Sequence, residues 1–147
     1  MLRRLAVIAA CAVALATAIG ACVGTRQPML CVEGDGGALQ NIQELDTAAR
    51  LGVKLLYVIF NDEAYAAEYH KLKVKKMNDQ LSRVRAPDFA KIAEGFGCIG
   101  RNALTPEQVG AACDEFMAGD APMLINIKTS RNVVSIPYQR MHLGADI

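Results

Sequence analysis

No tryptophan occurs in this 147-residue chain, and aromatic residues make up only 5% of it. A base-stacking platform for nucleic acid therefore has little to be built from. Neither sign of charge is in excess: 16 Lys and Arg stand against 15 Asp and Glu, for a net charge of +1. That balance excludes the basic footprint of a nucleic-acid-binding protein. No two cysteines form a CxxC pair. Cys11, Cys22, Cys31, Cys98 and Cys113 are odd in number and widely spaced, which fits buried, reduced thiols of a cytoplasmic protein better than a disulfide framework or a zinc site. Internal repeats and low-complexity segments are absent too. What remains is 52% hydrophobic and 21% charged, the balance of a globular protein, and the length suits a single domain over residues 1–147.

The first 24 residues admit two readings. Met1-Leu-Arg-Arg, the apolar run Leu5–Ile19 and then Gly20-Ala-Cys22 resemble a bacterial lipoprotein signal. The same stretch is Ala-rich from Ala9 to Ala21 and suits a small-residue helix packed under a sheet. The core-helix reading is preferred, because a strand-like run begins at Met29 and leaves almost no tether after Cys22. A cytoplasmic location follows from it, with membrane attachment as the alternative if residues 1–22 are a true signal.

Strand-like and helix-like segments then alternate. Met29–Glu33 is a short apolar run closed by Gly34-Asp35-Gly36-Gly37, as in a buried parallel strand. From Leu39 the apolar spacing is helical as far as Leu51, with Gly52 at the C-terminal cap position. Val53–Phe60 is the strongest strand, stopped by Asn61-Asp62. Residues 62–86 are polar and basic, a long loop with room for a helix over Tyr65–Leu72. A helix over 88–96, a strand over 98–101, a capped helix over 105–118 and a strand over 122–128 follow, and the tail 129–147 is expected to be irregular. The capping box Thr105-Pro-Glu-Gln108 marks the start of the last helix. Such alternation predicts an α/β fold: a parallel sheet with helices on both faces.

In such sheets ligands bind at the carboxyl ends of the strands. Two strands end in distinctive chemistry, one in Gly34-Asp35-Gly36-Gly37 and the other in Asn61-Asp62. If the two strands are neighbours, Asp35 and Asp62 face each other across a small gap. Two hard oxygen ligands beside a helix N-terminus describe a Mg²⁺ site with an anion next to it. Glycines let backbone N–H groups approach a phosphate, and the cation offsets the repulsion between carboxylates and diphosphate.

The composite of strand, GDG, helix, glycine cap, strand and Asn-Asp resembles the signature of thiamine diphosphate enzymes. The relevant stretches are Val32 to Gly52 and Val58-Ile-Phe-Asn-Asp62. The family is that of acetolactate synthase, benzoylformate decarboxylase and pyruvate decarboxylase, and the similar part is its C-terminal diphosphate-binding domain. Pro87–Gly97, Ala121–Ile127 and Ala16–Ala21 are similar to other parts of that domain, so the resemblance spans roughly residues 13 to 128. It implies thiamine diphosphate and Mg²⁺ as cofactors. It implies Asp35, Asp62 and the backbone carbonyl of Ala64 as metal ligands, and Gly34, Gly36, Gly37 and Asn61 as further cofactor-binding residues. Relatives often carry serine at the position of Gly37 and asparagine at that of Asp62.

By the same resemblance the glutamate that activates the cofactor lies on a separate pyrimidine-binding domain, for which this sequence has no room. The chain is therefore expected to need such a partner, to assemble as an oligomer and to be inactive alone, as a subunit of a split enzyme or as a fragment. The competing readings are a non-catalytic remnant that keeps the fold and a lipoprotein-like binding module. Glu44, His70, His142 and the basic run Lys71–Lys76 are read as solvated or locally packed residues. Tyr65 and Tyr69 are read as packing locally or lining the cofactor cleft.

Overall fold

The computed structural model describes residues 6–8, 13–142 and 144. Its central strand is β3, Leu55–Asn61, whose β-branched and aromatic side chains suit a strand buried on both faces. Strand β2 (Met29–Gly34) lies on one side of it in parallel, and β5 (Met123–Lys128) on the other. The edges are β1 (Ala6–Ile8), beside β2, and β4 (Ile99–Ala103), beside β5. The order is thus β1-β2-β3-β5-β4, all parallel. Sequence reading does not resolve β1.

Helix α1 (Ala14–Thr25) places Ala14, Leu15, Ala18, Ile19 and Cys22 against the sheet, a helical stripe of small and branched residues. It runs through Thr25, where a polar break is expected, and ends at Arg26 in the left-handed region with φ of 54°. Residues 1–5 and 9–12 of the signal-like stretch lie outside the described residues.

The single helix expected over 39–51 is three pieces. Helix α2 (Asp35–Asn41) starts directly off β2, a 3₁₀ turn spans Ile42–Glu44, and α3 (Leu45–Leu51) follows. The break falls at Asn41, which leaves helical geometry as its side chain turns inward to the Glu33 carboxylate. Gly52 closes α3 at φ of 57°, a conformation that glycine adopts without strain.

Helix α4 (Ala66–Val74) follows β3, and α5 (Phe89–Gly95) is capped by Asp88, which accepts from Ala90 N and Lys91 N. Helix α6 (Pro106–Ala118) is capped by Thr105, with Pro106 in its first turn. The tail is not wholly irregular as expected: α7 (Ile136–His142) forms there. Pro137 in its first turn lacks an N–H that would find no helical partner anyway, and Tyr138 ties it to α4 through the Ala67 carbonyl at 2.7 Å. That tertiary contact leaves no trace in the local periodicity.

Two apolar cores fill the two faces. One gathers Leu15, Cys31, Leu45, Tyr57, Phe89 and Leu124 beneath α1, α3 and α5. The smaller one gathers Leu56, Val58, Ala112, Phe116, Met123 and Ile125 beneath α6. The expected α/β architecture, a parallel sheet with helices on both faces, is the one present. Strands β2 and β3 are neighbours with Gly34 opposite Phe60, so their carboxyl ends open at one place.

Candidate functional site

Period-two alternation turns Met29, Cys31 and Glu33 of β2 toward the larger core. The chain then leaves the sheet through Gly34, which is extended (φ −83°, ψ 164°), straight into α2. Asp35 is thereby held at the first position of α2 and is 1% exposed. Its Oδ1 accepts from Gly36 N at 2.8 Å and its Oδ2 from Glu63 N at 2.7 Å. One carboxylate thus ties the glycine turn to the loop after β3.

That loop bends at Glu63, a non-glycine residue with φ of 57°, a backbone conformation that costs of order 1 kcal/mol or more and clusters at functional sites. Four contacts hold it there. Its N–H is on Asp35, its carbonyl accepts from Val84 N at 2.9 Å, and its carboxylate reaches Lys128 at 3.2 Å and Arg131 at 3.0 Å. Asp62, the preceding residue, accepts from Ala64 N at 3.0 Å.

Burial raises the Asp35 carboxyl above its ordinary range, and the charge of Asp62 adds to this against the N–H bonds of Gly36 and Glu63 and the charge of Lys128. Asp62 is raised as well, again chiefly by burial, while the Ala64 N–H, Arg131 and His70 pull it down. Two half-compensated carboxylates facing one space form an electrostatic arrangement that a cation relieves.

The space is a cavity of about 620 Å³ bordered by Gly34, Asp35, Gly36, Gly37, Asp62 and Ala64 at its polar end. Val32, Phe60, Tyr65, Ala66 and Ala67 make its apolar side. Gly36 and Gly37 stand close against neighbouring side chains. A Cβ on Gly36 would stand 2.5 Å from the Tyr65 ring, and one on Gly37 would stand 3.2 Å from Glu33 Oε1. Six of the seven residues singled out from the sequence therefore share one cavity. Asn61 is fully buried behind Asp35 and borders instead an adjoining polar cavity of about 280 Å³, with Asp62, Lys128 and Arg131. The Gly36 N–H, expected to face a diphosphate, donates to Asp35. Tyr65 lines the cavity, whereas Tyr69 is buried against His70.

Sequence reasoning missed Glu33. It is 7% exposed, borders the cavity, and accepts from the Tyr57 hydroxyl and from Asn41 Nδ2 at 3.3 Å. Burial and this bond push the Tyr57 phenol far up, while burial, with the Glu33 charge behind it, pushes the Cys31 thiol up to about 12. The available signal was a carboxylate at an inward position of an otherwise apolar strand, which is rare unless the group is partnered.

Asp35 and Asp62 offer hard oxygens, and among the described residues no three His, Cys, Asp or Glu side chains group into a metal cage. Two carboxylates suit Mg²⁺, which takes one or two and completes its shell with water and phosphate oxygens. A cavity with a polar glycine end and an aromatic side suits a ligand with a phosphate end and a ring. The residues fit both groups.

Comparison with known proteins agrees with this geometry. Residues 4–127 match the family "Thiamine pyrophosphate enzyme, C-terminal TPP binding domain". Acetolactate synthase of Bacillus subtilis (strain 168) is 34% identical over 122 residues, covering 78% of this chain and 20% of that protein. The acetolactate synthase isozyme 2 large subunit of Escherichia coli (strain K12) is 28% identical over 116 residues, covering 77% and 21%. Among solved structures, the thiamine diphosphate-dependent 4-hydroxybenzoylformate decarboxylase of Rhodococcus jostii RHA1 superposes with a TM-score of 0.76 at 29% identity, covering 82% of this chain and 23% of that one. The chain spans about a fifth of the length of the curated relatives it matches. No helix among the described residues is long and apolar enough to cross a membrane.

Proposed function

Because the chain belongs to the thiamine pyrophosphate enzymes, as their C-terminal TPP-binding domain, we propose that it clamps the diphosphate of thiamine diphosphate through Mg²⁺ for an acetolactate synthase-like 2-oxo acid decarboxylase or carboligase. The observation that carries this reading is the convergence of Asp35 and Asp62 on one cavity beside two closely packed glycines. Asp35, Asp62 and the Ala64 carbonyl would hold the cation, and the turn through Gly34, Gly36 and Gly37 would lie against the diphosphate. Bound, the cofactor supplies stabilised carbanion chemistry at a 2-oxo acid. These residues would bind and orient, without acting as acid, base or nucleophile. Asp62 adds a negative charge beside a diphosphate, so binding is expected to depend strongly on the metal.

Catalysis is proposed to need a pyrimidine-binding domain or subunit, so the working form is an oligomer. Support comes from the apolar side of the cavity, where Phe60 is 48% exposed and Tyr65 43%, as expected of a surface that a partner covers. A cytoplasmic setting is supported by Cys22, Cys31, Cys98 and Cys113, all unpaired thiols. The test is a calorimetric titration of the protein with thiamine diphosphate, with and without Mg²⁺. Binding that requires Mg²⁺ supports the reading. Absence of binding with Mg²⁺ present, or equal binding without it, removes it.

A further inference from the structure

Three asparagines line up across the carboxyl ends of the sheet, on the face that α5 covers. Asn61 of β3, Asn126 of β5 and Asn102 of β4 connect Asp35 at one end with Asp88, the cap of α5, at the other. The spacings are 3.1 Å from Asp35 Oδ2 to the Asn61 amide and 3.0 Å from Asn61 to Asn126. They continue at 2.7 Å from Asn126 to Asn102 and 3.1 Å from Asn102 to Asp88 Oδ1. Asn61 and Asn126 are 0% and 1% exposed, so neither amide can turn to water. Asn102 is exposed.

An amide fixed between two neighbours gives N–H to one and its oxygen to the other. All three amides must therefore point the same way. Both ends are carboxylates, which only accept when ionised, so one end always meets a second acceptor. With every nitrogen turned toward Asp88, the misfit lies at Asp35, where the Asn61 oxygen faces Oδ2 and its nitrogen faces Lys128 Nζ at 3.0 Å. With every nitrogen turned toward Asp35, Lys128 finds an acceptor in the Asn61 oxygen and the misfit moves to the Asn102–Asp88 link. There Asn102 can swing into water. A buried unpaired polar group costs about 1–3 kcal/mol and a solvated one almost nothing, so the second direction is the favoured one.

We propose that Asn126 is a positioning residue of the metal site: it turns the Asn61 N–H onto Asp35, and Asp88 competes with Asp35 for the direction of this ladder. The inference rests on the reading of Asp35 as a metal ligand. Neither Asn126 nor Asp88 borders the cavity of about 620 Å³, so an effect from either position has to travel through the amides.

Two surface variants probe the direction. Asp88→Asn keeps the cap on α5, since asparagine caps as well as aspartate. The capping oxygen is also the atom that meets Asn102, so the variant keeps that acceptor but removes the charge that draws the Asn102 nitrogen, and the competing end weakens. Asn102→Ala removes the competing end with no change of charge. Because the favoured direction already serves Asp35, both variants are expected to tighten the binding of Mg²⁺ with thiamine diphosphate only slightly, by less than about twofold in calorimetry. Asn126→Leu is expected to bind at least about fivefold more weakly, the worth of one net hydrogen bond. If Asn126→Leu does not fold, the surface variants carry the test. In the ligand-free protein the side-chain amide ¹H–¹⁵N signals of Asn61 should shift in Asp88→Asn and Asn102→Ala, although neither residue touches Asn61. Unchanged or weaker binding together with unmoved Asn61 signals overturns the proposal. If the wild type binds no cofactor, the cofactor reading falls, and the Asn61 signals still decide the ladder.

Discussion

Strand β3 enters the sheet as Leu55-Leu56-Tyr57-Val58-Ile59, five buried residues, and leaves it as a half-exposed Phe60 followed by Asn61 and Asp62. Strand β2 changes in the same way, from Met29 and Cys31 to Glu33, Gly34 and Asp35. At the amino-terminal end of the sheet, side chains fill space against α1, α3 and α5, and burial of apolar area does the stabilising. At the carboxyl end Glu33, Asp35, Asn61 and Asn126 are as buried as the core, yet they are held by hydrogen bonds that only offset their desolvation. The same strands thus carry packing at one end and unrelieved charge at the other, where a ligand can add what the fold lacks.

The largest contrast is between two glycines. A Cβ on Gly100 would stand 2.1 Å from the Ala90 carbonyl oxygen, a backbone atom of α5. Gly100→Ala should destabilise by about 3 kcal/mol or more in denaturant unfolding, as overpacking against backbone does. At Gly36 the obstacle is the half-exposed Tyr65 ring, which can rotate away. Gly36→Ala should lower stability by less than about 1 kcal/mol while weakening cofactor binding. Equal losses at the two positions would break the contrast.

Tyr57→Phe tests the seam between the two ends. It keeps the ring in the core but removes the hydroxyl that donates to Glu33. A loss of about 1–3 kcal/mol is expected, the cost of an under-satisfied buried carboxylate, and Glu33→Gln in the same chain should recover part of it. A smaller effect concerns alkali. The folded protein keeps the Cys31 proton up to about 12, against an ordinary thiol value of 9.0. The unfolded chain loses that proton first, so stability is full below pH 9.0 and falls as pH rises toward about 12. In denaturation curves taken across that range, Cys31→Ala should flatten the decline. An unchanged slope would place the alkaline loss elsewhere.

The alternation of strands and helices was legible in the sequence because each element carries its own period. The pair Asp35 and Asp62 was legible because glycines and strand ends mark it. Helix α7 was not, since its hold on α4 through Tyr138 is a tertiary bond. The break at Asn41 was hidden for a similar reason: its cause is a side chain reaching eight residues back to Glu33. The amide ladder joins residues on three strands that are distant in the chain, and only the register of Asn102 opposite Asn126 brings them together.

The most direct test of the account is a melting experiment on wild type and Asp62→Asn, each alone and with Mg²⁺ plus thiamine diphosphate. Burial makes the Asp62 charge unfavourable without a cation, and an asparagine oxygen can still accept from Ala64 N. The ligand-free variant should therefore melt above wild type. Wild type should gain several degrees only when metal and cofactor are both present. A variant that melts at or below wild type, together with a wild type unmoved by the pair, would contradict the claim that the carboxyl end of this sheet is built around a cation-held diphosphate.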